Sequence, residues 1–308
     1  MFIENGFYPE NKFWKYIIGS IIFIVASTIG QIPWLMVVAI KSQIDGKAFP
    51  EGENEFMAFL DSNATLFLLM LSFAFAFGSI ILVIRYFHKQ SFLTLTTSRK
   101  KIDWSRVFFS FSIWAIFTIA TTLVTYYVNP NDYSYNFKLI PFLILAIIGI
   151  TMIPIQTSTE EYVFRGYLMQ GFALLAKNRW FPLVMTSVIF GSMHIFNPEV
   201  SKMGYIILVY YIGTGFFLGI ITLMDEGIEL ALGFHAANNV VGALLITSDW
   251  SAFQTNSIFK DKSLPSIGFE VLTPVLIIFP LLLFIFSKKY KWTNWKEKLT
   301  GKIEISTI

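Results

Sequence analysis

The sequence contains no cysteine, which removes disulfides, thiolate metal sites and cysteine nucleophiles together. Charge is sparse as well. Only 14% of the 308 residues are Asp, Glu, Lys or Arg, and the formal net charge of +3 is too weak to argue for a nucleic-acid partner. Histidine occurs three times, as His88, His194 and His235, so any imidazole chemistry draws on these. No low-complexity tract, soluble domain or internal repeat divides the chain, which reads as a single membrane domain over residues 1–308. What fills the sequence is apolar: 55% hydrophobic and 18% aromatic residues, with a mean hydropathy of +0.62. That composition describes an all-α, polytopic integral membrane protein.

Read in order, Tyr16 to Ile40 is a first span, too long for a signal-peptide core and without a small-residue cleavage pattern. Lys41 to Asn63 is a polar loop, and Leu66 to Phe87 is the second span. The loop that follows carries Lys89, Arg99, Lys100, Lys101 and Arg106, which the positive-inside rule assigns to the cytoplasm, and the N-terminus with it. His88 beside Lys89 reads as an interfacial residue. Val107 to Val128 is the third span, Asn129 to Lys138 a turn-rich external loop, and Leu139 to Ile155 the fourth.

Pro154 predicts an interruption, with a new helix starting on Thr157 or Ser158 as N-cap and Glu160 or Glu161 three residues on. After the turn Lys177-Asn178-Arg179 an apolar helix runs from Trp180 to Phe196, with Pro182 in its first turn. The two segments form an antiparallel hairpin. At about 1.5 Å per residue, Glu160 and His194 then fall at similar heights. Tyr205 to Met224, Leu230 to Ile246 and Phe269 to Phe286 complete the helices, separated by an acidic turn at 225–229 and a polar stretch from Ser248 to Ser266. The tail carries Lys288, Lys289, Lys291, Lys296 and Lys298. If the glutamate helix crosses fully there are about nine spans and this tail lies outside, whereas about eight spans keep it inside. Charge favours eight.

Three polar islands stand within the apolar helices: Glu160-Glu161 with Arg165, Phe190-x-x-x-His194, and His235-x-x-x-Asn239. Ionisable groups in hydrocarbon persist where they pair, line a cavity or do chemistry. Glu161 and Arg165 are spaced i,i+4 with the acid first, the favourable order for an ion pair, which leaves Glu160 free to act. His235 and Asn239 share a helix face, and Phe190 packs beneath the ring of His194. Such a set can hydrolyse an amide. Glu160 deprotonates a water, His235 and Asn239 donate to the oxyanion, and His194 positions the water or assists proton transfer. Against this stand plainer roles: the glutamates as helix caps, the histidines as hydrogen-bonded core residues, and Asn238 and Asn239 as interhelical glue.

The motifs EExxxR ending in FRG, FxxxH and HxxxN, in that order, resemble the CAAX-processing and bacteriocin-immunity family of intramembrane proteases (CPBP, also called Abi), relatives of the Ras-converting CAAX endopeptidase. The resemblance covers about Pro154 to Leu245, a catalytic core of residues 154–245. It implies a membrane-embedded glutamate protease fold of about eight helices, with Glu160 as catalytic base, His194, His235 and Asn239 supporting it, and Glu161 and Arg165 as structural support. It also implies a membrane-anchored protein or peptide substrate, lipidated in the eukaryotic members, a place in the lipid bilayer, and the plasma (inner) membrane if the protein is prokaryotic. Metal-free catalysis is the favoured reading. The rival is a zinc ion (Zn2+) held by Glu160, His194 and His235 with an open position for water, although no HExxH is present. Two further classes compete with the enzyme: a non-catalytic membrane regulator or immunity factor on the same fold, and a transporter using Glu160 as a proton relay.

Overall fold

The computed structural model describes residues 1–263 and 269–304. Among the described residues six helices are long and apolar enough to cross a membrane: α1 (Phe13–Asp45), α2 (Ser62–Phe87), α3 (Trp104–Val128), α4 (Leu139–Ala176), α6 (Ile207–Asp225) and α8 (Val271–Tyr290). The helices bearing the two motif histidines are shorter, α5 (Trp180–Phe196) and α7 (Glu229–Leu245). Apolar side chains such as Ile24, Ile116 and Ile147 stay exposed on the outside of the bundle, where hydrocarbon suits them.

Between helices in lipid there is little hydrophobic driving force, so association relies on close packing and hydrogen bonds. Glycine supplies the closeness. A Cβ at Gly215 of α6 would sit 2.7 Å from the Ser187 carbonyl oxygen of α5, and one at Gly233 of α7 would strike the Val107 carbonyl of α3. Hydrogen bonds add direction: Ser110 donates to the Leu230 carbonyl at 2.7 Å across α3 and α7.

Contacts between loops sort the bundle into two ends. At one end Asp225 and Glu229, where α6 turns into α7, meet Arg99 and Arg106, and Lys298 of the tail pairs with Glu226. At the other, β1 (Tyr133–Tyr135), β2 (Ile246–Ser248) and β3 (Phe259–Asp261) form a small sheet in the order β1-β3-β2, antiparallel and then parallel. The basic loop and the basic tail therefore share one end, as the charge pattern requires. The turn-rich stretch from Asn129 to Lys138 and the polar stretch from Ser248 are not plain loops, because they supply residues of these strands. Residues 264–266 of the expected polar stretch lie outside the described residues. The expected loop at 41–63 is also partly helical, with α1 running on to Asp45 and a short helix at Glu53–Phe59.

The main correction concerns Pro154. No break occurs there, and α4 runs unbroken through Pro154, Glu160 and Glu161 to Ala176. Thr157 is no N-cap; its hydroxyl donates to the Pro154 carbonyl at 3.3 Å. The reason is the solvent. A proline inside a helix forfeits one backbone hydrogen bond, whereas ending the helix in hydrocarbon would strand several groups. The fourth span and the glutamate helix are thus one element.

His88 is a second correction. It is fully buried, with Nδ1 2.9 Å from Asn11 Oδ1 and Nε2 2.8 Å from the Tyr167 hydroxyl. The N-terminal segment folds back over it, and Tyr8 donates to its carbonyl at 2.7 Å.

Candidate active site

The hairpin of α4 and α5 sets the site. Lys177 takes the left-handed conformation that ends α4 (φ 53°), and the Asn178 side chain accepts from the Phe181 N–H at 2.9 Å to start α5. Just after Glu161 the backbone of α4 loosens into a π-helical segment, Tyr162–Leu168, a distortion that often accompanies functional sites.

Glu161 and Arg165 are both fully buried and paired, Arg165 Nη1 lying 3.0 Å from Glu161 Oε1. The guanidinium also donates to the Gly215 carbonyl at 3.3 Å and sits 4.3 Å above the Phe190 ring. Phe190 therefore touches both Arg165 and, with centroids 4.8 Å apart, His194. The pair expected from i,i+4 spacing is present.

His235 of α7 reaches both adjacent carboxylates. Its Nδ1 lies 2.7 Å from Glu161 Oε1, and its Nε2 lies 3.5 Å from Glu160 Oε2. An ionised carboxylate can only accept, so Nδ1 carries the proton given to Glu161, and Nε2 is the nitrogen turned toward Glu160. Glu161 does more than neutralise Arg165, since it also orients this imidazole. Glu160 keeps limited contact with the outside, its side chain 17% exposed.

His194 sits in a 3-10 turn that closes α5 (Met193–Phe196). Its Nδ1 is 2.8 Å from the Phe190 carbonyl, which leaves Nε2 to act. Its ring stacks on Tyr211 of α6, with centroids 4.2 Å apart and planes 21° from parallel. Phe190, already against His194 and Arg165, also meets the His235 ring with centroids 6.0 Å apart, so the motif residues of α4, α5 and α7 gather in one region. Beside it, Ile195, Phe196, Asn197, Pro198 and Tyr205 help line an open cavity of about 480 Å³.

Asn239 also joins the group, through a residue absent from the sequence reading. Its Nδ2 donates to Gln156 Oε1 at 3.0 Å, and Gln156 Nε2 donates to Glu160 Oε1 at 2.6 Å. Gln156 lies one helical turn before Glu160, and its amide, buried in an apolar stretch, was the available signal. Tyr211 was missed too, because its contact with His194 joins helices that spacing alone does not align. Asn238 accepts from Trp114 Nε1 at 3.1 Å and so ties α7 to α3, the glue role expected of it.

The rival zinc arrangement calls on Glu160, His194 and His235. Among the described residues no three His, Asp or Glu side chains come together in a way that holds a metal ion. One atom of each is engaged elsewhere, His235 Nδ1 by Glu161, His194 Nδ1 by a carbonyl and Glu160 Oε1 by Gln156, which leaves His235 Nε2, His194 Nε2 and Glu160 Oε2 for the site.

Comparison with known proteins agrees with this region. Residues 136–241 match the family described as type II CAAX prenyl endopeptidase Rce1-like. The chain is 29% identical over 245 residues to the uncharacterized protein YyaK of Bacillus subtilis (strain 168), covering 79% of this chain and 81% of that protein. No solved structure matches.

Proposed function

We propose that this chain, a relative of the type II CAAX prenyl endopeptidases, is an intramembrane endopeptidase that uses Glu160 to activate water against a peptide bond of a membrane-tethered substrate. The observation that carries the reading is His235 held between two adjacent carboxylates, at 2.7 Å from Glu161 and 3.5 Å from Glu160. A structural ion pair has no need of the second carboxylate. In this reading Glu160 Oε2 takes a proton from water as the oxygen of that water attacks the carbonyl carbon. The second N–H of Asn239 donates to the oxyanion, His235 Nε2 joins it when the ring carries a second proton, and His194 Nε2 holds the water. The proton then passes from Glu160 to the leaving nitrogen as the C–N bond breaks, giving a carboxylate and an amine.

The cavity beside His194 gives a peptide an aqueous approach, while the lipid-facing sides of α5 and α6 suit an apolar anchor lying alongside. Counting α5 and α7 as crossings gives eight spans, with both termini at the arginine-rich end. No step calls for a metal.

The test is cleavage of a membrane-anchored reporter, lipidated and unlipidated, by protein reconstituted in vesicles. Glu160→Ala abolishes cleavage and strong chelation leaves it intact. Full activity of Glu160→Ala rejects the mechanism, and stoichiometric zinc whose removal stops the reaction overturns the metal-free form of it.

A further inference from the structure

One unbroken line of hydrogen bonds ends on Glu160. Trp114 Nε1 donates to Asn238 Oδ1 at 3.1 Å, Asn238 Nδ2 to Asn239 Oδ1 at 3.0 Å, Asn239 Nδ2 to Gln156 Oε1 at 3.0 Å, and Gln156 Nε2 to Glu160 Oε1 at 2.6 Å. It joins α3, α7 and α4. Amide groups can in principle face either way, but here both ends set the direction. An indole N–H can only donate and an ionised carboxylate can only accept, so each amide between them has one permitted orientation. Every link therefore points its N–H toward Glu160. Trp114 is 6% exposed and Gln156 4%, so the two ends of the chain are shielded from water, while Asn238 and Asn239 between them are half-buried. In a site of low polarity such a chain polarises link by link.

We infer that Gln156 is a positioning residue, and that with Trp114, Asn238 and Asn239 it fixes the catalytic oxygen of Glu160 by reserving Oε1 as a permanent acceptor. The inference rests on the reading of Glu160 as the base. A proton on Oε1 would face the N–H of Gln156, and reversing Gln156 would reverse the chain as far as an indole that cannot accept. The proton taken from water therefore resides on Oε2, the oxygen facing His235 Nε2. The chain also assigns Asn239 two tasks: one N–H holds Gln156 and the other remains for the oxyanion. It accounts for an uncharged residue at 156, since a carboxylate there would repel Glu160 and a basic group would neutralise it.

The test uses the full-length protein in vesicles with Gln156→Met, Trp114→Phe and the double variant, each confirmed folded by its thermal transition. In Gln156→Met, kcat falls about 10- to 100-fold with KM nearly unchanged, the loss of one hydrogen bond to a charged group. The acid limb of the pH–rate profile moves to higher pH, because the charged form has lost a donor. Trp114→Phe shifts both in the same direction by less, and Gln156→Glu fails to restore the rate. Since the links act in series, the double variant is no worse than Gln156→Met alone, whereas independent packing defects would add. An infrared difference spectrum, each protein minus its own Glu160→Gln counterpart, reads the carboxylate bands without any substrate. Bands unchanged by Gln156→Met, or additive losses in the double variant, overturn the inference. If instead the wild-type protein cleaves nothing while the bands do respond, the proteolytic reading fails and the hydrogen-bonded chain stands.

Discussion

The imidazole of His194 lies flat against the phenol ring of Tyr211, with centroids 4.2 Å apart, while its Nδ1 is held by the carbonyl of Phe190. Ring plane and ring rotation are thus set by two different helices, and both must be in place for Nε2 to address the site. Tyr211→Leu removes the stack and is expected to lower the cleavage rate about three- to tenfold, the scale of one aromatic contact. Tyr211→Phe keeps the stack and the rate. Equal losses in both variants would show that the hydroxyl matters and the stacking does not.

Arg165 has no access to water, and its removal strands the Glu161 carboxylate in the bundle. Breaking a buried pair from one side costs about 3–5 kcal/mol. Arg165→Met is therefore expected to lower the thermal transition in detergent strongly. Arg165→Lys recovers only part of the loss, because one ammonium cannot serve Glu161, the Gly215 carbonyl and the Phe190 face together. A transition unchanged in Arg165→Met contradicts this account.

At the basic end, Arg99 bridges two carboxylates that cannot reach water, Asp225 at 2.9 Å and Glu229 at 3.1 Å, while its own side chain stays 24% exposed. The asymmetry predicts an order. Arg99→Ala leaves Glu229 buried with no arginine and costs more stability than Asp225→Asn, which leaves only cations able to turn toward solvent. Thermal transitions of the two variants check it, and the reverse order rejects it.

His88, directly after the end of α2, has its pKa lowered from 6.5 to about 4, first by burial and second by the charge of Lys15. The groups facing it are Asn11, Tyr16, Tyr167 and Lys15. Because the folded value lies below the unfolded one, this residue's contribution is complete above about pH 6.5 and declines as the pH falls toward about 4. Wild-type protein should lose thermal stability across that window, and His88→Gln should flatten the slope. A parallel slope in both proteins would assign the effect to other groups.

Much of the site was legible before any coordinates. The Glu161–Arg165 pair and the Phe190–His194 contact follow from spacing along one helix, and the hairpin joining the Glu160 helix to the His194 helix follows from the polar turn at Lys177-Asn178-Arg179. The missing parts were contacts between helices. Gln156, Tyr211 and the link from Glu161 to His235 depend on how α4, α5, α6 and α7 rotate against one another, which no local period encodes.

The same division holds for the whole chain. Composition alone determined an apolar, cysteine-free helical membrane protein, since only such a chain can satisfy its backbone within lipid, and local spacing determined which side chains share a turn. The tertiary structure decided that Pro154 leaves its helix whole, that His88 is enclosed by the N-terminal segment, and that one imidazole stands between two carboxylates. Those outcomes depend on which groups from distant stretches of chain replace water around each buried polar atom, and that is settled only when the helices pack.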